Sequence, residues 1–120
     1  MKETPAQLGY RMPAEWEPHV GTWFTWPRPE GISFPDRYDT VPPVYARLFH
    51  ELIQVEQVHL NVWDAQAEEQ ARLALSRSGL ALDGIQFHHF PAYEPWCRDH
   101  GPIFLVRDTN SQRERAVVDW

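Results

Sequence analysis

The stretch QVHLNVWDAQAEEQARLALSRSG, residues 57–79, decides the fold class, because its hydrophobic pattern changes from the period of a strand to that of a helix. Residues 57–63 alternate apolar and polar side chains, which predicts a strand, and Asp64 then supplies a helix N-cap. Residues 65–78 repeat apolar side chains at helical spacing, and Gly79 closes that helix in the left-handed conformation. A strand that leads directly into a helix is typical of α/β proteins.

Regular elements are predicted on both sides of this stretch. Strands are predicted at 21–26, 84–90, 103–106 and 115–120, a helix at 43–54, and a hairpin turn at 107–114. The predicted order is strand, helix, strand, helix, strand, strand, strand, which is an alternating α/β pattern with an antiparallel hairpin at its end. Residues 27–43 have no hydrophobic period and contain Pro and Gly throughout, so we expect a long loop there.

The composition fits a folded protein and excludes several classes of function. The 120 residues are 42% hydrophobic and 23% charged, close to the average globular domain, and their net charge is −6. No basic cluster could neutralise a run of phosphates, so we expect no nucleic-acid partner. The sequence has neither the apolar length of a membrane span nor the pattern of a signal peptide, and its single cysteine excludes an internal disulfide. We therefore expect a cytoplasmic protein without a membrane partner.

The densest group of polar and aromatic side chains is YEPWCRDHGP, residues 93–102, in a loop between two predicted strands. Loops at strand ends are where α/β proteins place binding groups. Glu94 and Asp99 are carboxylates that could accept paired N–H bonds from a small cationic guanidine, and Trp96 could offer it an aromatic face. The same residues also allow a structural loop in which Arg98 forms a surface ion pair with one of the two carboxylates.

Other side chains near this loop give weaker signals. Acidic neighbours raise the pKa of a thiol, so we do not predict Cys97 to be a nucleophile. His88, His89 and His100 form no zinc-binding spacing with this cysteine, and we predict no metal and no cofactor. Trp26 is a weaker substrate-binding candidate, since aromatic residues next to strands usually belong to the core.

Two motifs resemble a known family. The pattern W-x-RD-x-GP-x-F resembles the guanidine-deiminase motif of agmatine deiminases and bacterial peptidylarginine deiminases; here it consists of Trp96, Arg98, Asp99, Gly101, Pro102 and Phe104. The segment MPAEWEPHVGTWFTWP, residues 12–27, resembles the opening of the same family. Members of the family often carry Asp where Glu94 stands, so the longer side chain leaves the choice of guanidine substrate open.

The resemblance implies a fold and a reaction. The fold is a five-bladed α/β propeller of ββαβ units, in which residues 1–120 form the N-terminal portion of a single deiminase domain, the first blade and part of the next. The reaction is hydrolysis of a guanidine, with agmatine converted to N-carbamoylputrescine and ammonia on the route to polyamines. In this resemblance Asp99 matches a catalytic carboxylate that holds the guanidinium, and Trp96 matches a residue beside the substrate. The nucleophilic Cys, the catalytic His and a second acid would lie beyond residue 120.

Three hypotheses for function stay open. The first is an agmatine deiminase, the second is a peptidylarginine deiminase, and the third is a non-catalytic module that binds guanidinium groups or a partner. We expect the 120-residue chain alone to be inactive and to self-associate through unpaired strand edges. The complete protein could also form a homo-oligomer, and these residues do not determine its oligomeric state.

Overall fold

The computed structural model describes residues 3–119, which fall into two compact units. One unit is His19–Cys97, and the other joins the segments Met1–Pro18 and Arg98–Trp120. No helix within residues 3–119 combines the length and the hydropathy that a bilayer crossing requires.

The first unit, His19–Cys97, contains a sheet and two helices of ordinary length. Its elements are β1 (Gly21–Thr25), α1 (Val41–Leu52), β2 (Gln57–Val62), α2 (Ala65–Arg77) and β3 (Ile85–His89). β2 lies between β1 and β3 and is parallel to both, with Phe24 opposite Leu60 and Leu60 opposite Phe87. The predicted alternation of strands and helices is confirmed, and the structure shows that the three alternating strands are parallel.

The core of this unit lies between the sheet and its helices. The central strand β2 supplies three fully buried side chains, and α1 and α2 supply the others; the fully buried apolar residues are Val58, Leu60, Val62, Phe49, Ala71 and Leu75. The apolar residues of β2 alternate with polar ones, so its two valines and its leucine share the buried face, and Asn61 is the only buried polar residue among those described in this strand.

Both predicted ends of α2 are confirmed. The Asp64 carboxylate accepts the backbone N–H of Ala67 at 2.9 Å, which satisfies one of the free donors at the helix start. At the other end, Gly79 has a φ of 79°, and the N–H of Leu80 returns to the carbonyl of Leu75 at 3.2 Å. This left-handed C-cap satisfies a helix carbonyl that would otherwise lack a donor.

The predicted bounds needed correction in the long loop and in the following helix. α1 begins at Val41 and not at residue 43. Pro42 and Pro43 therefore lie in its first turn, where their missing N–H groups cost no helical hydrogen bond. The loop predicted at 27–43 contains a 3-10 helix at Tyr38–Thr40, which leads directly into α1. Three polar or aromatic residues carry no hydrophobic period, so sequence patterns do not reveal such a turn.

The second unit contains an antiparallel hairpin and a short helix. Its elements are β4 (Ile103–Asp108) and β5 (Arg113–Val118), and the short helix α3 (Cys97–His100) spans the boundary between the two units. The turn predicted at 107–114 was too long, because the ladder continues through two pairs of opposite charge, Arg107 with Glu114 and Asp108 with Arg113. Such cross-strand ion pairs stabilise a sheet although their sequence is polar. Trp120, the end of the predicted return strand, lies outside the described residues.

A second segment is fixed to this hairpin. Arg11 forms an isolated antiparallel bridge with Val106, with N···O distances of 2.9 and 2.8 Å in the two directions. The Arg11 guanidinium also makes two hydrogen bonds to Glu17, at 2.6 and 3.0 Å. These bonds, together with the N–H of Ala14, lower the pKa of Glu17 to about 2. Residues 11–17, which include the start of the segment that resembles a family opening, are thus attached to the hairpin.

Candidate functional site

The carboxyl ends of the three parallel strands place aromatic side chains near one another. Since β1, β2 and β3 run in the same direction, the segments that follow them leave the same edge of the sheet. The rings of Trp63 and Tyr93, which follow β2 and β3, have centroids 5.1 Å apart. A small cavity of about 200 Å³ at this edge is lined by Trp26, Tyr38 and Trp63 among other residues.

A guanidinium group of the chain itself lies on this aromatic cluster. The Cζ atom of Arg28 is 3.9 Å from the ring centroid of Trp63 and 5.5 Å from that of Tyr93. Cation–π attraction stabilises a guanidinium that is stacked above an aromatic ring in this way. Sequence reasoning did not identify Arg28 or Trp63, and the only available signal was an aromatic residue directly after a buried strand.

Glu94, predicted to contact a guanidine, is engaged with the chain in this structure. Its Oε1 accepts the backbone N–H of Ile32 at 2.9 Å, and its Oε2 accepts the hydroxyl proton of Ser33. The Ser33 hydroxyl first, and then the Ile32 N–H, lower the pKa of Glu94 below its usual value. The carboxylate therefore holds residues 32 and 33, and its role in substrate binding stays a prediction.

Trp96 has one end of its indole anchored and half of its surface open. The indole Nε1–H donates to the hydroxyl oxygen of Ser33 at 2.8 Å, and the Phe34 ring lies 6.0 Å from the indole between centroids. The residue is nevertheless 51% exposed. An aromatic face with a satisfied polar edge could receive a cationic group, as predicted for this residue.

Asp99 belongs to the other compact unit, where it lies on the short helix α3 and is exposed. The hypothesis that Arg98 pairs with Asp99 was wrong, because the Arg98 guanidinium donates instead to the Glu15 carboxylate at 2.6 Å. Both partners of that ion pair are about three-quarters exposed, at 77% and 73%, so it contributes little to stability. Arg98 therefore does not occupy the Asp99 carboxylate, and the catalytic role of Asp99 stays a prediction.

The single thiol is in a poor environment for nucleophilic attack. The Cys97 Sγ atom lies 3.3 Å from the hydroxyl oxygen of Thr25, and the residue is half-buried. Burial raises the pKa of this thiol, and the Thr25 contact offsets only part of that effect. The raised pKa agrees with the sequence prediction, although the main cause is burial and not the neighbouring acids.

Trp26 is part of the core. Its side chain is 4% exposed, and the indole Nε1–H donates to the Tyr38 hydroxyl at 3.2 Å. This burial favours the core role that the sequence also allowed, and contact with a substrate stays a prediction. Within residues 3–119, no group of three His, Cys, Asp or Glu side chains could hold a metal ion.

The architecture places the chain in a recognisable class of proteins. A solved agmatine deiminase from C. jejuni superposes with a TM-score of 0.68 at 14% identity, covering 88% of this chain and 30% of the other. The fold is therefore the mixed α/β fold of agmatine deiminase structures.

The chain belongs to the family described as Porphyromonas-type peptidyl-arginine deiminase, whose model matches residues 11–120. A putative agmatine deiminase of Legionella pneumophila strain Philadelphia 1 is 32% identical over 120 residues, which are 100% of this chain and 32% of the relative. The agmatine deiminase of Ectopseudomonas mendocina is 32% identical over 118 residues, 98% of this chain and 29% of the relative. The chain thus spans about a third of the length of these curated relatives.

Proposed function

We propose that the complete protein containing this chain hydrolyses a guanidine group, with agmatine as substrate. In the overall reaction one C–N bond of the protonated guanidine breaks, water supplies the oxygen, and the products are N-carbamoylputrescine and ammonium. The observation that carries this proposal is identity of 32% along the whole chain to proteins named agmatine deiminase or putative agmatine deiminase. Within the chain, Asp99 and the half-open indole of Trp96 are the groups that would hold the guanidinium.

The proposed chemistry assigns separate roles to these two residues. A carboxylate at Asp99 would accept N–H bonds from the guanidinium and hold its central carbon for attack by a cysteine thiolate from elsewhere in the complete protein. A histidine would act there as general acid and base. Trp96 would cover the cation with its ring face. The raised pKa of Cys97 supports placing the nucleophile outside this chain.

A peptidylarginine deiminase is the second candidate function. The observation that favours it is the description of the matching family as peptidyl-arginine deiminase. The two substrates share the guanidinium and differ in what lies at the other end of the alkyl chain, a free amine in agmatine and a peptide backbone in peptidylarginine. We expect agmatine to be the better substrate because the relatives cited above bear that name.

The proposal extends to the architecture of the complete protein. We infer a five-bladed α/β propeller in which this chain supplies the first blade and part of the next, located in the cytoplasm and acting on the route to polyamines. The superposition on 30% of the C. jejuni agmatine deiminase chain supports the architecture alone, and the route to polyamines rests on agmatine as the proposed substrate.

The decisive experiment uses the longest open reading frame that contains this chain. Ammonia release should be measured with agmatine and with a peptide that contains an internal arginine. Turnover of agmatine supports the first function, turnover of the peptide alone supports the second, and turnover of neither supports a non-catalytic binding module.

Substitution at Asp99 tests the site within the same protein. Asp99→Asn keeps the size but replaces one acceptor by an N–H group facing a cation that only donates. Breaking a desolvated charge pair costs on the order of 2 to 5 kcal/mol, so kcat/KM should fall roughly thirtyfold to several thousandfold. Asp83→Asn, at another exposed aspartate, is the matched control and should leave kcat/KM unchanged. Unchanged catalysis in Asp99→Asn would contradict the assignment.

A further inference from the structure

Ser33 is hydrogen-bonded to two residues of a distant segment, Glu94 and Trp96, and we call these three residues the Ser33 clasp. Ser33 occupies its centre: its hydroxyl donates to Glu94 and accepts the indole N–H of Trp96 at 2.8 Å. The second carboxylate oxygen of Glu94 accepts the N–H of Ile32 at 2.9 Å. The partners are 61 to 63 residues apart in sequence, so the clasp joins the loop after β1 to the loop after β3.

The hydrogen bonds of the clasp have a consistent direction. The indole N–H donates to a hydroxyl, and that hydroxyl donates to a carboxylate, so the negative charge at the end strengthens both bonds. Deprotonated Glu94 is an acceptor only, which fixes the Ser33 hydroxyl proton on the side away from the indole. The lowered pKa of Glu94 keeps this acceptor charged.

The backbone of the loop at Gly31 lies close to the clasp, which leaves little room for other conformations of the Glu94 side chain. A Cβ atom on Gly31 would lie 3.1 Å from the carbonyl oxygen of Arg28 and 3.4 Å from Oε1 of Glu94. On the other side of the clasp, the Phe34 ring lies 6.0 Å from the indole of Trp96 between centroids. The loop thus approaches Glu94 closely on one side and the indole on the other.

We propose that Ser33 and Glu94 are positioning residues that orient the open face of the Trp96 indole toward the guanidine substrate. This proposal rests on the proposed function. Trp96 is 51% exposed, yet its one polar atom is already bonded, so the ring can present a face without leaving a donor unsatisfied. A ring fixed before binding loses less freedom when the cation arrives, which increases affinity without changing the chemical step.

The first test asks whether the clasp forms, and it requires no activity. Hydrogen exchange at the Ile32 amide should be slow in the complete protein and at least about tenfold faster in its Glu94→Ala variant, which removes the acceptor. The same amide should stay protected in Ser78→Ala, where the lost hydroxyl lies at the end of α2. Equal exchange in wild type and Glu94→Ala would overturn the proposal.

The second test asks whether the clasp acts through Trp96 in the complete protein. Ser33→Ala removes both bonds of the Ser33 hydroxyl, and the loss of the one that holds the Trp96 indole should raise the KM for agmatine about threefold to tenfold with kcat nearly unchanged. Ser33→Thr keeps a hydroxyl, so its KM should be close to that of the wild-type protein. Ser78→Ala should also have the wild-type KM. Trp96→Phe keeps a ring but removes the N–H, so adding it to Ser33→Ala should have a smaller effect than it has alone.

The outcomes separate the clasp from the function on which it rests. Agmatine turnover with an unchanged KM in Ser33→Ala, or with additive effects of Ser33→Ala and Trp96→Phe, would overturn the clasp alone. No turnover in the wild-type protein would overturn the proposed function and, with it, the role of the clasp. A raised KM with non-additive effects supports both.

Discussion

The Nδ1 atom of His59 in β2 lies 3.0 Å from the Nε2 atom of His88 in β3. A hydrogen bond between two imidazoles requires one ring nitrogen to act as acceptor, so at least one ring must be neutral. The Trp23 ring stacks on both imidazoles, with centroid distances of 4.5 and 4.7 Å. Burial first, and then the charge of His88, lower the pKa of His59. The pair is therefore sensitive to protonation.

Folding stability should decrease on mild acidification because of this pair. With a folded pKa below the usual value near 6.5, the unfolded chain binds a proton that the folded chain does not, so stability falls as pH drops below about 6.5. Urea unfolding midpoints between about pH 7.5 and about pH 5.5 would measure the slope. His59→Gln should flatten it, and His50→Gln, at an exposed position on α1, should not. An undiminished slope in His59→Gln would contradict the assignment.

Two leucines on α2 provide a matched test of the core. Leu75 is fully buried, whereas Leu73 on the same helix is 50% exposed. Leu75→Ala should cost about 2 to 5 kcal/mol through lost burial and the cavity that remains. Leu73→Ala makes the same chemical change and should cost less than about 1 kcal/mol. Chemical denaturation of both variants would check the difference, and similar losses would show that α2 packs in another orientation.

The cap of α2 can be tested separately from its packing. Asp64→Ala removes the acceptor for the Ala67 N–H and should destabilise the protein by about 0.5 to 2 kcal/mol. Asp64→Asn keeps an equally good capping oxygen and should remain near wild type. Thermal unfolding of the two variants would distinguish them. If Asn proved as damaging as Ala, the carboxylate charge and not the capping bond would be what matters.

The Cys97 thiol should react slowly with a disulfide reagent. Because burial raises its pKa, little thiolate is present near neutral pH, and the rate should still be rising as pH passes the usual thiol range. The matched control is the same chain unfolded in guanidinium chloride, where burial is removed and the reaction should be faster. In the complete protein, Cys97→Ser should retain deiminase activity. Loss of deiminase activity in Cys97→Ser would instead identify Cys97 as the nucleophile.

Local patterns were sufficient for most elements because their causes are local. Asp64 and Gly79 bracket α2 as predicted, since a cap and a left-handed close depend on a few neighbouring residues. The predicted turn at 107–114 failed because charged residues usually mark loops, whereas Arg107 and Glu114 form a cross-strand pair. Whether a polar residue is paired depends on the partner strand, which a single segment does not contain.

The sequence by itself determined the α/β alternation, the ends of α2, the family resemblance, and the segment between β3 and β4 that carries Glu94, Trp96 and Asp99, although the short helix α3 within the predicted loop was missed. Only the tertiary structure decided what those side chains contact. The bonds of Ser33 to Glu94 and to Trp96 join segments 61 and 63 residues apart, and the His59–His88 contact joins residues 29 apart. Periodicity and capping reflect interactions within a few residues, whereas these partners meet only after strand pairing has fixed the path of the chain.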